Sequence, residues 1–182
     1  MVTPKTKIKY TYREYLYTPE DKRYELIDGE LLLTPSPKTG HQRLEASLGT
    51  MMYVFVKDSG LGEVFFAPFD VYFNETNVVQ PDLIFVSSER ALIVNDDNIR
   101  GAPDLVVEIL SPSTANRDRV LKRALYAEHG VREFWIADTD AKTISVFLLG
   151  DAGFELTSIY GEGQTLTSPT LSGFSVDLDD LF

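Results

Sequence analysis

One glutamate inside an apolar run constrains this chain more than any other feature. In the segment APDLVVEILSPST (residues 102–114), apolar residues on both sides of Glu108 predict a buried β-strand. An ionised carboxylate is costly to bury unless it is paired, bound to a metal or protonated. The fold must therefore supply a partner for Glu108. The segment VVQPDLIFVSS (residues 78–88) raises the same question for Asp82, which follows a proline and begins an apolar strand.

The composition excludes several classes of site. The 182 residues include no cysteine, which rules out disulfides and thiolate zinc sites, and only two histidines, which disfavours a multi-histidine zinc site. No segment resembles a signal peptide or reaches transmembrane length, so we expect a cytoplasmic protein without membrane contact. The length and the hydrophobic content of 43% predict a single domain over residues 1–182.

The charge distribution limits the kinds of partner. A net charge of −11 argues against a protein that coats nucleic acid nonspecifically. Residues 100–123, however, carry five bases against three acids, so the region around Glu108 is locally basic. Local contacts with phosphate are therefore compatible with the sequence.

The order of predicted elements indicates a mixed α/β (α+β) fold. Two apolar runs that meet at Asp28-Gly29 predict a hairpin, and apolar residues at helical spacing predict a long helix over residues 39–58. Residues 63–77 are interpreted as one extended strand with a turn at its end. A second helix is predicted to begin near residues 113–116 and to end at Gly130. We therefore expect a central sheet of mixed direction flanked by helices.

Asp82 and Glu108 together predict a metal site. The 26 residues between them allow their strands to be neighbours in one sheet, only ~5 Å apart, where two carboxylates repel unless a cation lies between them. Oxygen ligands suit Mg²⁺, Mn²⁺ or Ca²⁺, and the backbone carbonyl of Ile109 would add a further ligand. Lys122, 14 residues after Glu108 on the next helix, is the candidate to orient the attacking water or to stabilise a phosphate in transfer.

Each of these residues also has an interpretation without catalysis. Glu108 would form a buried ion pair with an arginine. An aspartate at the start of a strand, such as Asp82 or Asp104, commonly anchors a turn or loop. Lys122, taken alone, would lie on a solvated helix face.

Two further candidates are Glu30 and His41. Glu30 directly follows the hairpin turn and is either a third carboxylate of the site or a solvent-facing strand residue. His41 and Glu45 are four residues apart and share one helix face. His41 would contact phosphate or carry a proton, or would simply be a polar residue at a helix start.

A series of segments resembles the Uma-type putative restriction endonuclease family. They are YELIDGELLLTPSP, HQRLEASL, VVQPDLIFV, GAPDLVVEILSPST, RDRVLKRALYAEHGVREFWIAD and YGEGQTLTSPTLSGFSVDLDDLF, and the resemblance covers about residues 12–182. It implies membership of the PD-(D/E)XK nuclease superfamily, with a restriction-endonuclease-like fold and magnesium-dependent chemistry on DNA.

The resemblance also implies roles for single residues. Asp82 matches the motif aspartate and Glu108 the second motif acid. The superfamily lysine is expected two residues after that acid, where this chain has Leu110, and in this family the lysine is displaced to the following helix, at Lys122. Glu30 and His41 fall on family signature positions.

The resulting expectation is a Mg²⁺- or Mn²⁺-dependent endonuclease that hydrolyses DNA as a homodimer. Exposed aromatic residues of YTYREYLY (residues 10–17) would serve the dimer interface. The acidic tail and Leu110 favour an alternative, a non-catalytic binding or regulatory protein that keeps the nuclease fold. A hydrolase of a small phosphorylated substrate is a third possibility and would have a closed pocket instead of an open groove.

Overall fold

The structure of the protein is a computed structural model that describes residues 9–111 and 117–182. Its strands are β1 (Arg23–Ile27), β2 (Glu30–Thr34), β3 (Gly62–Phe66), β4 (Asp70–Asn74), β5 (Asn77–Val79), β6 (Leu83–Ser87), β7 (Asn98–Arg100), β8 (Leu105–Ile109), β9 (Glu133–Asp138), β10 (Thr143–Gly150), β11 (Gly153–Tyr160), β12 (Thr165–Thr167) and β13 (Ser175–Asp177). Its helices are α1 (Tyr12–Tyr15), α2 (Thr39–Ser59) and α3 (Arg123–His129). Two 3₁₀ turns lie at Ser88–Ile93 and Leu178–Asp180, and a π-helical turn at Arg117–Lys122 leads into α3. Within these two ranges, no helix is both long and apolar enough to cross a lipid bilayer.

The strands form two large mixed sheets and one small sheet. The first has the order β2-β1-β5-β4-β7, the second has the order β11-β10-β9-β8-β6-β3, and β12 pairs with β13. Most pairs are antiparallel, but β4 and β7 run parallel in the first sheet, and β8 and β9 run parallel in the second. The predicted mixed α/β fold is confirmed, although its strands are divided between two large sheets and do not form one central sheet.

Local signals in the sequence account for the hairpin and the long helix. Asp28 and Gly29 both have positive φ (49° and 74°), as a two-residue type I′ turn requires between β1 and β2. The long helix begins at Thr39 and ends at Gly60, whose φ of 64° supplies the left-handed conformation that terminates helices.

The extended strand predicted over residues 63–77 is wrong. The strand is interrupted at Ala67-Pro68, and as a result β3 belongs to the six-stranded sheet and β4 to the five-stranded sheet. Proline has no N–H to donate to a ladder and interrupts strands. The predicted start of the second helix, at residues 113–116, lies outside the residues that the structure describes, but the helix ends at Gly130 as predicted.

The central strands β6, β8 and β9 of the six-stranded sheet are buried on both faces, and this arrangement positions the site. One face packs against the apolar side of α2, whereas the other packs against the five-stranded sheet and α3. Successive strand residues point to opposite faces, so Glu108 shares the inter-sheet face with Val106. α2 lies very close to the first face at Gly49, where a Cβ atom would stand 2.2 Å from Cε1 of Phe66.

Candidate active site

A small polar cavity lies where β6 begins and β8 ends. Its volume of about 40 Å³ has room for an ion with a few waters but not for an enclosed metabolite. Both large sheets, α2 and the π-helical turn contribute to its walls. The lining residues are Arg23, Thr34, Pro35, Ser36, Pro37, His41, Gln80, Asp82, Glu108, Ile109, Ser111, Asp118 and Lys122.

Asp82 lies beside the end of β8, as predicted. Strands β6 and β8 are antiparallel neighbours with Leu83 opposite Val107. The N–H of Ile109 donates to Oδ2 of Asp82 at 2.7 Å. The N–H and C=O of one strand residue point to the same side of the strand, so the Ile109 carbonyl also faces the Asp82 side.

The partner of the buried Glu108 is Lys122. The Lys122 ammonium lies 2.9 Å from each carboxylate oxygen of Glu108, and the Tyr126 hydroxyl donates to Glu108 Oε1. Lys122 is only 3% exposed, so it does not lie on a solvated helix face. Lys122, although displaced in sequence from position 110, therefore lies next to Glu108 of β8.

The alternative of an arginine partner for Glu108 is wrong for the two arginines of this helix whose side chains are described. Arg119 pairs with Asp138 at 2.8 Å, and Arg123 donates to the carbonyl oxygen of Phe154 and covers the ring of Phe147. Both arginines point away from the cavity because the helix face that carries Lys122 is the buried one.

Two further carboxylates, which were not predicted, lie around Lys122. Oε1 of Glu25, on β1, lies 2.8 Å from the Lys122 ammonium, and Oδ1 of Asp118 lies 3.7 Å from it. Glu25 is 1% exposed and also accepts the backbone N–H of Gln80 at 3.0 Å. Glu25 stands between apolar residues in a predicted strand, which is the signal that singled out Glu108, so the sequence contained a means of finding it.

The charges of this cluster depend on one another. Burial raises the pKa of Glu108, against the opposing effect of the Lys122 ammonium. Burial would lower the pKa of Lys122, but the negative charges of Glu108 and Glu25 outweigh it and raise that pKa above its usual range. Lys122 is therefore a cation at neutral pH, suited to stabilising negative charge and not to accepting a proton.

A second cluster adjoins the first through Asp82. Nε2 of His41 lies 3.2 Å from Oδ2 of Asp82, and its Nδ1 lies 3.6 Å from Oε2 of Glu45. Potential ligand atoms of these three buried side chains lie within 4.8 Å of one another. Burial would lower the pKa of His41, but the neighbouring carboxylates of Asp82 and Glu45 raise it to about 9. His41 is thus protonated at neutral pH unless a cation displaces the proton.

Glu30 is not brought to the cavity. It is exposed at the turn end of β2, opposite Ile27, whereas the cavity begins at Thr34, four residues and about 13 Å further along the strand. Asp104 has the anchoring role considered for it: Oδ2 accepts the N–H of Ser87, and Oδ1 pairs with Arg90 and Arg132.

Comparisons with known proteins identify a family for this chain. The model of the Uma2 family, described as "Putative restriction endonuclease", matches residues 10–179. The chain belongs to the Uma2 family. The "Uncharacterized protein sll1609" of Synechocystis sp. is 26% identical over 171 residues, which are 91% of this chain and 96% of that protein.

A solved structure shares the Uma2 fold of this chain. A crystal structure of a "putative nuclease belonging to DUF820" from Anabaena variabilis superposes with a TM-score of 0.79 at 23% identity. The match covers 94% of this chain and 97% of that one. The resemblance noted in the sequence is confirmed, and at this identity the structural likeness establishes the fold.

Proposed function

We propose that this Uma2 protein is a metal-dependent endonuclease that hydrolyses DNA phosphodiester bonds with Mg²⁺ or Mn²⁺. The observation that carries the proposal is the contact of Lys122 with Glu108, 2.9 Å from both carboxylate oxygens. It supplies a buried cation next to Asp82 and Glu108 although position 110 is a leucine. Lys122, the two acids and Ile109 thus line one cavity.

The buried charge supports a divalent cation at this site. Five carboxylates of the two clusters are buried, and two buried cations, Lys122 and protonated His41, oppose them. The carboxylates belong to Glu25, Glu45, Asp82, Glu108 and Asp118. These carboxylates outnumber the two cations by three, and buried charge of one sign is strongly unfavourable unless it is compensated.

The residues present fit such an ion. Asp82, Glu108 and the Ile109 carbonyl would hold it with oxygen atoms, as Mg²⁺ and Mn²⁺ prefer. Glu45 and His41 extend the ligand set on the other side of Asp82, and an imidazole ligand favours Mn²⁺ over Mg²⁺. A bound ion of this kind lowers the pKa of a coordinated water and stabilises charge on a phosphoryl oxygen.

The chain's own side chains would do the remaining work. The Lys122 ammonium would fix the orientation of Glu108 and stabilise the negative charge that develops on the phosphate. When the ion is held by Asp82 and Glu108 without His41, His41 keeps its proton at neutral pH and would contact phosphate or deliver that proton to the leaving oxygen. We give Glu30, at the far end of the hairpin, no contact with the reacting groups.

We also propose that the protein acts as a homodimer, since two copies would cut both strands of a duplex. Leu16 and Tyr17, at the end of α1, are 61% and 83% exposed. Exposed apolar and aromatic side chains that lie next to one another are typical of interfaces.

The main rival is a protein that keeps the fold without turnover. The net charge of −11 and the leucine at position 110 favour it, and the Lys122 cluster would then serve stability alone. A hydrolase of a small phosphorylated substrate is disfavoured, because such substrates are enclosed in pockets of about 300–1,000 Å³, far larger than this cavity.

Metal binding and plasmid cleavage, measured together, test the proposal. Calorimetry with Mn²⁺ and nicking of supercoiled plasmid would be compared for the wild type, Asp82→Asn and Glu108→Gln. Asp96→Asn is a matched control because Asp96 is exposed. We expect both site variants to lose cleavage by at least about 100-fold and to weaken Mn²⁺ binding, whereas the control changes neither.

Two results would contradict the proposal in different ways. Equal Mn²⁺ affinity in the wild type and both site variants would remove the metal site. Site-specific Mn²⁺ binding without cleavage of plasmid, single-stranded DNA or RNA would favour the non-catalytic alternative.

A further inference from the structure

We propose that Arg23 is the residue that binds the substrate phosphate at the mouth of the cavity, and that Gln80 holds its guanidinium in position. This inference rests on the proposed function, because it concerns how a phosphodiester reaches the Asp82–Glu108 site. It assigns roles to two residues that the motif analysis did not single out.

A phosphodiester needs a cation at this cavity. Buried carboxylates outnumber buried cations at the site, so an anionic phosphodiester needs additional positive charge to bind there. The two buried cations are already engaged: Lys122 by Glu25 and Glu108, and His41 by Asp82. A further positive group at the cavity wall is therefore required.

Arg23 meets this requirement. It is the first residue of β1, opposite Thr34, and its half-buried side chain lines the cavity. Its Nε donates to the amide oxygen of Gln80 at 3.2 Å. Throughout residues 9–111 and 117–182, no ion pair joins the Arg23 guanidinium to a carboxylate. The guanidinium thus keeps its charge and its two terminal nitrogens for a ligand.

A hydrogen-bond network fixes the direction of the Gln80 amide. Its Nε2 donates to Oδ1 of Asp70 at 2.8 Å and to the hydroxyl oxygen of Tyr15 at 3.2 Å. The Tyr15 hydroxyl in turn donates to the same Asp70 oxygen at 2.7 Å. With its nitrogen committed on that side, the Gln80 amide must present its oxygen to Arg23. A neutral amide orients the guanidinium without cancelling its charge, which a carboxylate in the same place would do.

Gln80 also ties this phosphate contact to the acidic site. Its backbone N–H donates to Glu25, the carboxylate that binds Lys122. Asp82 follows Gln80 by only two residues. The Arg23 guanidinium and the Asp82 carboxylate are thus positioned by one short segment of chain. The planar guanidinium can bind two phosphate oxygens at once through its terminal nitrogens, a geometry that lysine does not offer.

DNA binding without turnover tests the inference directly. A fluorescein-labelled DNA duplex would be titrated in Ca²⁺ by fluorescence anisotropy at several salt concentrations, and Mn²⁺ affinity would be measured by calorimetry. We expect Arg23→Gln to weaken DNA binding by about 10- to 100-fold and to reduce the salt dependence by about one charge. Its Mn²⁺ affinity should stay within about twofold of wild type, because Arg23 touches no metal ligand.

Further variants separate phosphate binding from a structural role. Arg23→Lys should recover the salt dependence but only part of the affinity, because it keeps the charge and loses the fork. Gln80→Met should also weaken binding while leaving the salt dependence unchanged, since the guanidinium is present but less well oriented. Arg13→Gln is the matched control, because Arg13 is exposed on α1. In cleavage assays, Arg23→Gln should raise KM and leave kcat nearly unchanged.

The outcomes distinguish this inference from the proposed function. If the wild type cleaves DNA but folded Arg23→Gln and Arg23→Lys bind DNA as tightly as Arg13→Gln does, Arg23 is not the phosphate contact and the nuclease proposal stands. If the wild type binds Mn²⁺ but neither binds nor cleaves DNA, both proposals are overturned.

Discussion

Replacing Lys122 with methionine removes the ammonium that lies among three buried carboxylates of the cluster. Glu25 and Glu108 lie within 2.9 Å of that ammonium, and Asp118 lies at 3.7 Å. Methionine has a similar length and is apolar, so the variant tests the charge with little change in packed volume. Removing one partner of a buried ion pair typically costs about 3–5 kcal/mol because the other partner stays buried without compensation.

We therefore expect Lys122→Met to lose about 3–5 kcal/mol of unfolding free energy at pH 8. For a domain of this size, that loss corresponds to a fall in Tm of roughly 6–20 °C. Urea unfolding followed by tryptophan fluorescence measures the change well, since Trp135 is the single tryptophan and is fully buried. Both proteins would be kept in EDTA so that bound metal does not contribute.

The pH dependence supplies a second check on the same variant. Burial already raises the pKa of Glu108, and Lys122 is the group that opposes this effect. Without the ammonium, Glu108 takes up a proton more readily as the pH falls, and a protonated carboxyl leaves no charge uncompensated. The stability deficit of Lys122→Met should therefore shrink between pH 8 and pH 5.

Two comparisons decide whether the reasoning holds. Lys22→Met, at an exposed lysine, should change stability by no more than about 0.5 kcal/mol. Adding Glu108→Gln to Lys122→Met should cost less than the sum of the two single changes, because it removes one of the stranded charges. If Lys122→Met lost less than about 1 kcal/mol of unfolding free energy at pH 8 and showed no coupling to Glu108→Gln, the Lys122 ammonium would not be stabilising the buried carboxylates.

Three further expectations follow from other parts of the structure. The folded-state pKa of His41 is raised to about 9, so its contribution of about 3 kcal/mol to the unfolding free energy is full below pH 6.5 and is lost as the pH rises through 9. Urea unfolding of the wild type in EDTA should show this loss. Parallel pH profiles of stability for the wild type and His41→Gln would contradict it. Gly49→Ala should destabilise the protein by about 1–3 kcal/mol, because the new Cβ would lie 2.2 Å from Phe66. Gly40→Ala should stabilise it, because the nearest neighbour of that Cβ would be 4.0 Å away. Equal shifts in Tm for the two variants would refute the close packing of Gly49 against Phe66. Sedimentation velocity should show a dimer that Tyr17→Lys weakens, and a wild-type monomer at high concentration would exclude the α1 interface.

Sequence patterns identified those elements whose signals are local. Asp28-Gly29 specifies a turn by itself, and Gly60 ends the long helix because its conformation is left-handed. The pairing of the Asp82 and Glu108 strands was also anticipated, since the 26 positions from Asp82 to Glu108 are enough chain for two strands to be neighbours in one sheet. The prediction of one strand across Pro68 was wrong because the alternation of apolar residues continues on both sides of the proline, whereas the backbone hydrogen bonding does not.

The rest of the site depends on how the two sheets meet, which no single segment encodes. Glu25 carries the same signal as Glu108, but only the packing of β1 against β8 and the helix shows that both acids share one lysine. Arg23 and Gln80 are ordinary strand and loop residues in the sequence. Their relation to the cavity comes from β1 and β5 being neighbours in one sheet, a contact between distant parts of the chain. Long-range register of this kind is beyond periodicity and turn signals.

The Lys122 ammonium joins Glu25 in the five-stranded sheet to Glu108 in the six-stranded sheet. A shortened chain that began after β2 would still contain Asp82, Glu108 and Lys122 in the right order. A motif search for those three residues would still match the shortened chain. Its Lys122, however, would have lost the Glu25 carboxylate, and the cavity would have lost Arg23 and Thr34 from its lining. The proposed nuclease activity should therefore require the β1–β2 hairpin as well as the three motif residues.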